Sequence, residues 1–222
     1  MTGPAAKEAD GGARRMRVRR AGDAALLVET GDLETSHRLD AAIRGAAIPG
    51  VVDVVPGERT VLVTADPAEC DLARLAARLP ALPLPETAAG EAPPVEVPTV
   101  YDGEDVDVVA ELAGVSREEV VARHVASSYT VAYLGFSPGF GYLTGLDPVL
   151  HVPRRDSPRT AVPTGSVAIA GPYTAVYPSR SPGGWRLLGR TDLKLWDVTR
   201  DPPSLLRPGT RVRFVAVREG ER

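Results

Sequence analysis

Residues 129–140 read YTVAYLGFSPGF, an apolar run of six residues followed by a turn rich in glycine and proline. β-Branched and aromatic residues ahead of such a turn predict a strand over Tyr129–Leu134. Similar short apolar runs, separated by Gly/Pro-rich turns, occur at Ser166–Ile169, Thr174–Tyr177, Trp185–Leu188 and Val212–Val217. Short strands at such close spacing predict a β-sheet that is closed into a barrel or folded into a sandwich.

Two short helices are predicted just before this β-rich stretch. A strand at Val95–Val100 comes first, and Asp105 then suits the N-cap of the first helix. Ser116 followed by Glu119 forms a capping-box pattern, which starts the second helix and carries it to about Ala126.

Residues 16–79 predict a smaller α/β domain with the order ββαββα, an open sheet with its helices on one face. A helix after Asp32 reaches about Ala46, and another covers Asp71–Leu79. His37 is interpreted as a solvated helix residue rather than a ligand. The strands of this domain are predicted at Arg17–Arg20, Ala24–Glu29, Val51–Val55 and Thr60–Thr64.

Composition divides the chain. Residues 1–15 are polar and rich in glycine, and they are interpreted as a disordered leader without a signal core. Residues 80–94 form a Pro-rich linker, which is expected to be extended and to separate residues 16–79 from a domain at 95–222.

Several functional classes are disfavoured by composition. A net charge of −3 over 222 residues gives no support for nucleic-acid binding. The single cysteine, Cys70, excludes an intramolecular disulfide and a multi-cysteine zinc site, and favours a reduced cytoplasmic location. The longest apolar runs are far shorter than a membrane span of about 20 residues.

Gly135–Gly139 matches the G-x-S-x-G string of serine hydrolases, but the chemistry argues against that function. The residue after the serine must donate its backbone N–H to the oxyanion hole, and Pro138 has none. The segment is better interpreted as a tight turn, flanked by aromatic residues, which places Ser137 or its neighbours at the edge of a pocket.

Two further segments suggest binding. Residues 153–159 read PRRDSPR, and their prolines hold arginines whose guanidinium groups can bind carboxylate or phosphate. Residues 181–185 read SPGGW, in which glycines allow close approach and Trp185 offers a flat apolar wall. A solvated arginine loop and ordinary hairpin turns remain the alternatives to these two interpretations.

Taken in order, these motifs resemble the KipI family, also called allophanate hydrolase subunit 1, whose bacterial members are mostly regarded as the B subunit of 5-oxoprolinase. The resemblance covers about Arg17 to Val217. The motifs that carry it are Tyr133–Phe140, Pro153-Arg154, Pro158-Arg159, Pro163–Val167, Tyr177-Pro178 and Ser181–Trp185.

The resemblance implies an α+β fold, with a small ferredoxin-like α/β domain followed by a cyclophilin-like β-barrel domain. It implies a cytoplasmic subunit of an enzyme that hydrolyses 5-oxo-L-proline to L-glutamate at the expense of ATP, with Mg²⁺. The partners would be a C subunit of the allophanate hydrolase subunit 2 type and a third subunit of the lactam-utilisation type. Catalytic residues are not assigned, a metal site is not expected, and the chain alone is expected to be inactive. The candidates for substrate or ATP binding are His124, Phe136, Ser137, Phe140, Arg154, Arg159, Ser166, Gly183, Gly184, Trp185 and Arg190.

The sequence departs from the family at residues 172–175, which read Pro-Tyr-Thr-Ala where Gly-Gln-Thr-Gly is usual. Two other functions stay open: a regulatory protein that inhibits a sensor histidine kinase, and a subunit of a urea- or allophanate-type amide-processing enzyme.

Overall fold

The computed structural model describes residues 16–86 and 93–220, which form two domains. The expected leader at residues 1–15 lies outside the described residues. The first domain contains β1 (Arg17–Arg20), β2 (Ala25–Glu29), α1 (Leu33–Gly45), β3 (Val51–Pro56), β4 (Thr60–Ala65), α2 (Leu72–Arg78) and a one-turn 3-10 helix (Leu79–Ala81).

The ββαββα order of this domain is confirmed. Its antiparallel sheet has the strand order β1-β2-β4-β3, and alternate residues of β2 and β4 are buried beneath the two helices. Asp32 caps α1 by accepting a hydrogen bond from Thr35 N at 2.7 Å, and Asp71 caps α2 in the same way. The buried core consists of Leu26, Val28, Leu39, Ile43, Ile48, Val54, Val61, Val63, Ala65, Leu72, Leu75 and Leu79.

The second domain is mostly β-structure. Its elements are β5 (Val95–Thr99), α3 (Val106–Ala113), α4 (Arg117–Ala126), β6 (Tyr129–Leu134), β7 (Gly141–Thr144), a one-turn 3-10 helix (Pro148–Leu150), β8 (Arg159–Val162), β9 (Ser166–Ala170), β10 (Tyr173–Val176), β11 (Ser181–Gly183), β12 (Arg186–Arg190) and β13 (Arg211–Ala216).

Seven of these strands form a sheet with the order β12-β9-β10-β7-β6-β13-β5. The two edges meet where Val100 and Arg190 exchange backbone hydrogen bonds of 2.9 Å in both directions, which closes the sheet into a barrel. Of the barrel and the sandwich that the apolar runs allowed, the structure shows the barrel, which is also what the family resemblance implied. Strand alternation sends Val167 and Ile169 into the barrel and Ala168 and Ala170 outward.

Strands β8 and β11 were not expected, because their sequences contain the arginine, proline and glycine residues that indicate turns. They pair with each other outside the barrel, with Ser181 opposite Val162 and Gly183 opposite Arg159. The two segments that the sequence analysis singled out, 153–159 and 181–185, are thus brought together by one short antiparallel pair.

One prediction about the first domain is corrected. His37 is buried rather than solvated, and its Nε2 lies 2.6 Å from the carbonyl oxygen of Ala132 in β6, because this side of α1 faces the barrel. The start of the expected linker packs on the first domain, where Leu82 and Leu84 contact its core and Pro85 accepts a hydrogen bond from Arg38. The remainder of the expected linker, 87–92, lies outside the described residues.

Gly189→Ala is expected to destabilise the barrel by about 1–3 kcal/mol, because a Cβ there would overlap the Val100 carbonyl oxygen and lie 3.0 Å from Tyr101 Cα. Backbone atoms at the barrel seam cannot move aside as a side chain would. Gly45→Ala is the control, since no atom lies within 4 Å of the new methyl group. Urea unfolding should show a lower midpoint for the first variant only, and equal midpoints would contradict this account.

Candidate functional site

The outer surface of the barrel carries a layer of aromatic side chains, which we call the aromatic face. It holds seven of the eleven Phe, Tyr and Trp residues of the chain. Phe140 lies at its centre, with ring centroids 5.1–5.7 Å from those of Tyr142, Tyr177 and Trp185 in edge-to-face arrangements. The members of the aromatic face are Tyr133, Phe136, Phe140, Tyr142, Tyr173, Tyr177 and Trp185.

Phe136 is the unusual member of the face. Its side chain is 61% exposed, whereas Phe140 and Trp185 are buried, and its backbone φ is +64°. A positive φ is strained for a bulky residue and costs on the order of 1–3 kcal/mol. Such strain tends to persist where function requires it, so the strained backbone makes the turn between β6 and β7 a candidate part of a binding site.

Arg154 lies over the aromatic face, with its guanidinium carbon 5.8 Å from the centre of the Trp185 ring. This is within the range of a cation–π contact. Within residues 16–86 and 93–220, the Arg154 guanidinium forms no ion pair with a carboxylate. Its positive charge is therefore available to a bound anion.

Hydroxyl groups and glycines border the face. The Oγ atoms of Ser137 and Ser181 are buried and have no hydrogen-bond partner among the described residues. Gly183 is required where it stands, because a Cβ would overlap the Tyr177 hydroxyl, whereas a Cβ at Gly184 would make an ordinary contact of 3.6 Å with Pro158. Close packing of the Tyr177 ring, and not a positive φ, explains the glycine at 183.

Arg159 was expected to present its guanidinium to a ligand, and the structure engages it internally. Its Nη2 lies 2.9 Å from Asp105 Oδ2 and 3.0 Å from Glu104 Oε2, and Arg155 binds the other Asp105 oxygen at 3.1 Å. Asp105 also accepts the backbone N–H of Leu187 at 2.7 Å. The side chain of Asp105 thus joins the 153–159 segment to β12 instead of capping α3, as the sequence had suggested.

Arg190 lies away from the aromatic face, whereas Ser166 borders it, since its carbonyl oxygen accepts a hydrogen bond from Tyr177 N at 2.9 Å. Arg190 is at the barrel seam, where Asp102 and Glu219 bind it at 2.8 and 2.7 Å. It borders a cavity of about 320 Å³, while Ser166 is buried opposite Arg190 at the start of β9. The cavity is lined by Pro98, Val100, Arg190, Thr191, Asp192, Leu193, Val217, Arg218, Glu219 and Gly220.

His124 is fully buried inside the barrel. Thr174 donates its hydroxyl proton to Ala168 O, so its Oγ1 accepts from His124 Nε2 at 2.9 Å, and Tyr101 donates to Nδ1 at 2.7 Å. Burial lowers the pKa of His124 to about 3, which keeps the imidazole neutral. This histidine therefore organises the core rather than contacting a ligand at the surface.

Comparison with known proteins agrees with this architecture. Residues 16–206 match the family described as carboxyltransferase domain, subdomain C and D. The chain belongs to this family.

Among curated members of the carboxyltransferase-domain family, the B subunit of 5-oxoprolinase from Escherichia coli O157:H7 is 44% identical over 177 residues, covering 78% of this chain and 81% of that protein. The protein of the same name from Bacillus subtilis (strain 168) is 34% identical over 229 residues, covering 92% and 94%.

Solved structures show the same fold. TTHA0988 superposes with a TM-score of 0.80 at 38% identity, and the match covers 91% of this chain but only 41% of that one. The urea carboxylase of Kluyveromyces lactis matches with a TM-score of 0.70 at 24% identity, covering 92% of this chain and 22% of that one, which shows a shared fold alone.

Sequence reasoning for this carboxyltransferase-domain chain found three of the seven aromatic residues of the face, Phe136, Phe140 and Trp185. The structure gathers Phe136, Ser137, Phe140, Arg154, Gly183, Gly184 and Trp185 there, and it places His124 and Arg190 elsewhere. Arg159 and Ser166 border the face, because Arg159 donates to Trp185 O at 3.4 Å and Ser166 O accepts from Tyr177 N at 2.9 Å. Sequence reasoning did not assign Tyr142 to the site, although its ring stacks on Tyr133. It noted Tyr173 only as a departure from the family pattern and did not place it beside Tyr133. Alternation along β6, β7 and β10 was the signal that could have placed them on the outward side.

The described parts of this family member offer no group of three His, Cys, Asp or Glu side chains placed to hold a metal ion. No helix in those parts is long and apolar enough to cross a membrane. The aromatic face itself offers a cation, hydroxyls and flat apolar rings, a set that can bind and orient a small molecule but lacks an adjacent nucleophile and base.

Proposed function

We propose that this chain is the B subunit of a 5-oxoprolinase, an enzyme that hydrolyses 5-oxo-L-proline to L-glutamate at the expense of ATP. The observation that carries the proposal is its similarity, along nearly the whole chain, to proteins named as that subunit, at 44% and 34% identity. The enzyme would act in the cytoplasm, in keeping with the free thiol of Cys70.

The arrangement of side chains supports a role as one part of a larger enzyme. The Oγ atom of Ser137, the serine of the hydrolase-like string, has no hydrogen-bond partner in the part of the chain that the structure describes, and His124 and His151 have partners elsewhere. The related TTHA0988 chain is more than twice as long as the part matched here, so this unit occurs joined to further protein. We infer that the site is completed by a C subunit of the allophanate hydrolase subunit 2 type and a third subunit of the lactam-utilisation type.

ATP would activate the lactam, since a stable amide opens more readily after phosphoryl transfer to its oxygen. Mg²⁺ would accompany the nucleotide. Because the described residues provide no cluster of metal-ligating side chains, we propose that the phosphates and the other subunits hold this ion.

The test is co-expression of this chain with the two partner subunits, followed by measurement of 5-oxoproline-dependent ATP turnover and of L-glutamate. We expect turnover by the three-part complex, and none by this chain alone or by the complex that lacks it. A stable complex without turnover would contradict the proposal.

A urea- or allophanate-type activity is the second candidate, and it is favoured by similarity to the urea amidolyase of Saccharomyces cerevisiae, which is 32% identical over 123 residues, covering 52% of this chain and 7% of that protein. ATP turnover that depends on urea or allophanate instead of 5-oxoproline, in the same assay, would select this candidate.

A further inference from the structure

We propose that the aromatic face binds a small flat ring bearing one carboxylate, held by Arg154, and that it does not bind the nucleotide. The inference rests on the proposed function, in which 5-oxo-L-proline is that ring compound. It assigns the binding site of the lactam substrate to this chain and places the ATP site outside the aromatic face.

The balance of charge supports one carboxylate rather than a triphosphate. Arg155 and Arg159 are paired with Asp105 and Glu104, and Arg190 is paired with acidic side chains at the distant seam. Of the arginines first considered for phosphate binding, Arg154 alone has no carboxylate partner within the described part of the chain. A nucleotide triphosphate needs several cations or a cradle of backbone N–H groups, whereas one guanidinium fork matches one carboxylate.

The surroundings of Arg154 fit a ring. The guanidinium stands over Trp185, and its charge acts on two phenol groups nearby. Burial raises the pKa of Tyr133 and of Tyr177, and the positive charge of Arg154 opposes that rise in both. A carboxylate bound to Arg154 would therefore lie beside aromatic surface and within reach of hydroxyl donors.

The adjacent turn supplies a second flat wall. The exposed ring of Phe136 contacts Phe140 at 5.2 Å and Tyr177 at 6.3 Å, so it extends the face outward instead of closing it. The left-handed backbone conformation of Phe136 sets the position of this ring, which is itself largely exposed. Trp185 is buried beneath Arg154, so a compact ring would stack on the exposed ring of Phe136 while its carboxylate reaches Arg154.

The test uses the assembled three-part complex and separates the two substrates. Arg154→Ala is expected to raise the KM for 5-oxoproline about 10- to 100-fold and to leave the KM for ATP within about twofold, as for loss of a charge-assisted hydrogen bond. Arg154→Lys should fall between, because it keeps the charge but not the fork. Arg78→Ala, an exposed arginine of α2, is the matched control and should change neither constant.

Calorimetry on the same complexes separates failure of this inference from failure of the proposed function. We expect 5-oxo-L-proline to bind the parent complex measurably, 2-pyrrolidinone, which lacks the carboxylate, to bind much more weakly, and Arg154→Ala to abolish the difference. If the complex binds 5-oxoproline through Arg154 but does not turn it over, the inference stands and the proposed function fails. A rise in the KM for ATP, an unchanged KM for 5-oxoproline, or no difference between the two ligands would overturn the inference.

Discussion

Asp105→Ala is expected to lower the free energy of unfolding by about 3–5 kcal/mol, the cost of removing one partner from a buried ion pair. The Asp105 side chain is 2% exposed, and it pairs with Arg159, whose side chain is 13% exposed. Its two oxygens also hold Arg155 and the Leu187 backbone N–H. The substitution would leave the largely buried Arg159 guanidinium with only the exposed Glu104 as a carboxylate partner, and it would leave the buried Leu187 N–H without its acceptor. An unsatisfied buried donor costs more than the loss of the contact itself.

Asp102→Ala is the matched control. Asp102 pairs with Arg190 at 2.8 Å, but their side chains are 47% and 44% exposed, so water replaces the lost contact and the effect should be about 0–1 kcal/mol. Urea unfolding followed by circular dichroism measures both variants. Equal losses of stability in the two would show that burial of the Asp105 pairs is not what makes them important.

The stability of the protein is expected to fall as the pH drops below about 6.5, and His124 should cause much of that fall. Burial lowers its folded-state pKa to about 3 from an ordinary value of 6.5. Between these values the unfolded chain binds a proton that the folded protein excludes, so acid favours unfolding. The contribution of neutral His124 to the free energy of unfolding is fully present above pH 6.5, and about 2.5 kcal/mol of it should be lost by pH 4.5.

His124→Gln removes this titration and provides the comparison. The variant should be less stable at pH 7, because Tyr101 and Thr174 lose their ring partner, but the gap to the parent protein should narrow by about 2.5 kcal/mol between pH 7 and 4.5. A gap that stays constant with pH would mean that His124 is not held neutral by burial.

Both variants act through groups that the sequence singled out for other reasons. Asp105 was predicted as a helix cap, and His124 as a candidate for binding. The structure gives each a role in holding the barrel together, because their partners come from residues 23 to 82 positions away. Spacing along the chain carries no information about such contacts.

By itself, the sequence determined the elements whose signals are local. Alternating apolar residues predicted β6, Asp32 and Ser116 marked helix starts, and the ββαββα order followed from periodicity, because each depends on residues within a few positions of one another. Strands β8 and β11 escaped prediction, since their proline and glycine content indicates turns and each is stabilised only by pairing with the other.

The tertiary structure alone decided which arginine is available to bind an anion. Residues 153–159 hold three arginines with nearly the same local sequence context, and nothing local distinguishes Arg154 from Arg155 or Arg159. Asp105 draws the latter two inward, while Arg154 stays over Trp185. The physical reason is that a charge is neutralised by whatever the fold brings within a few ångströms, and here that carboxylate belongs to a distant part of the chain.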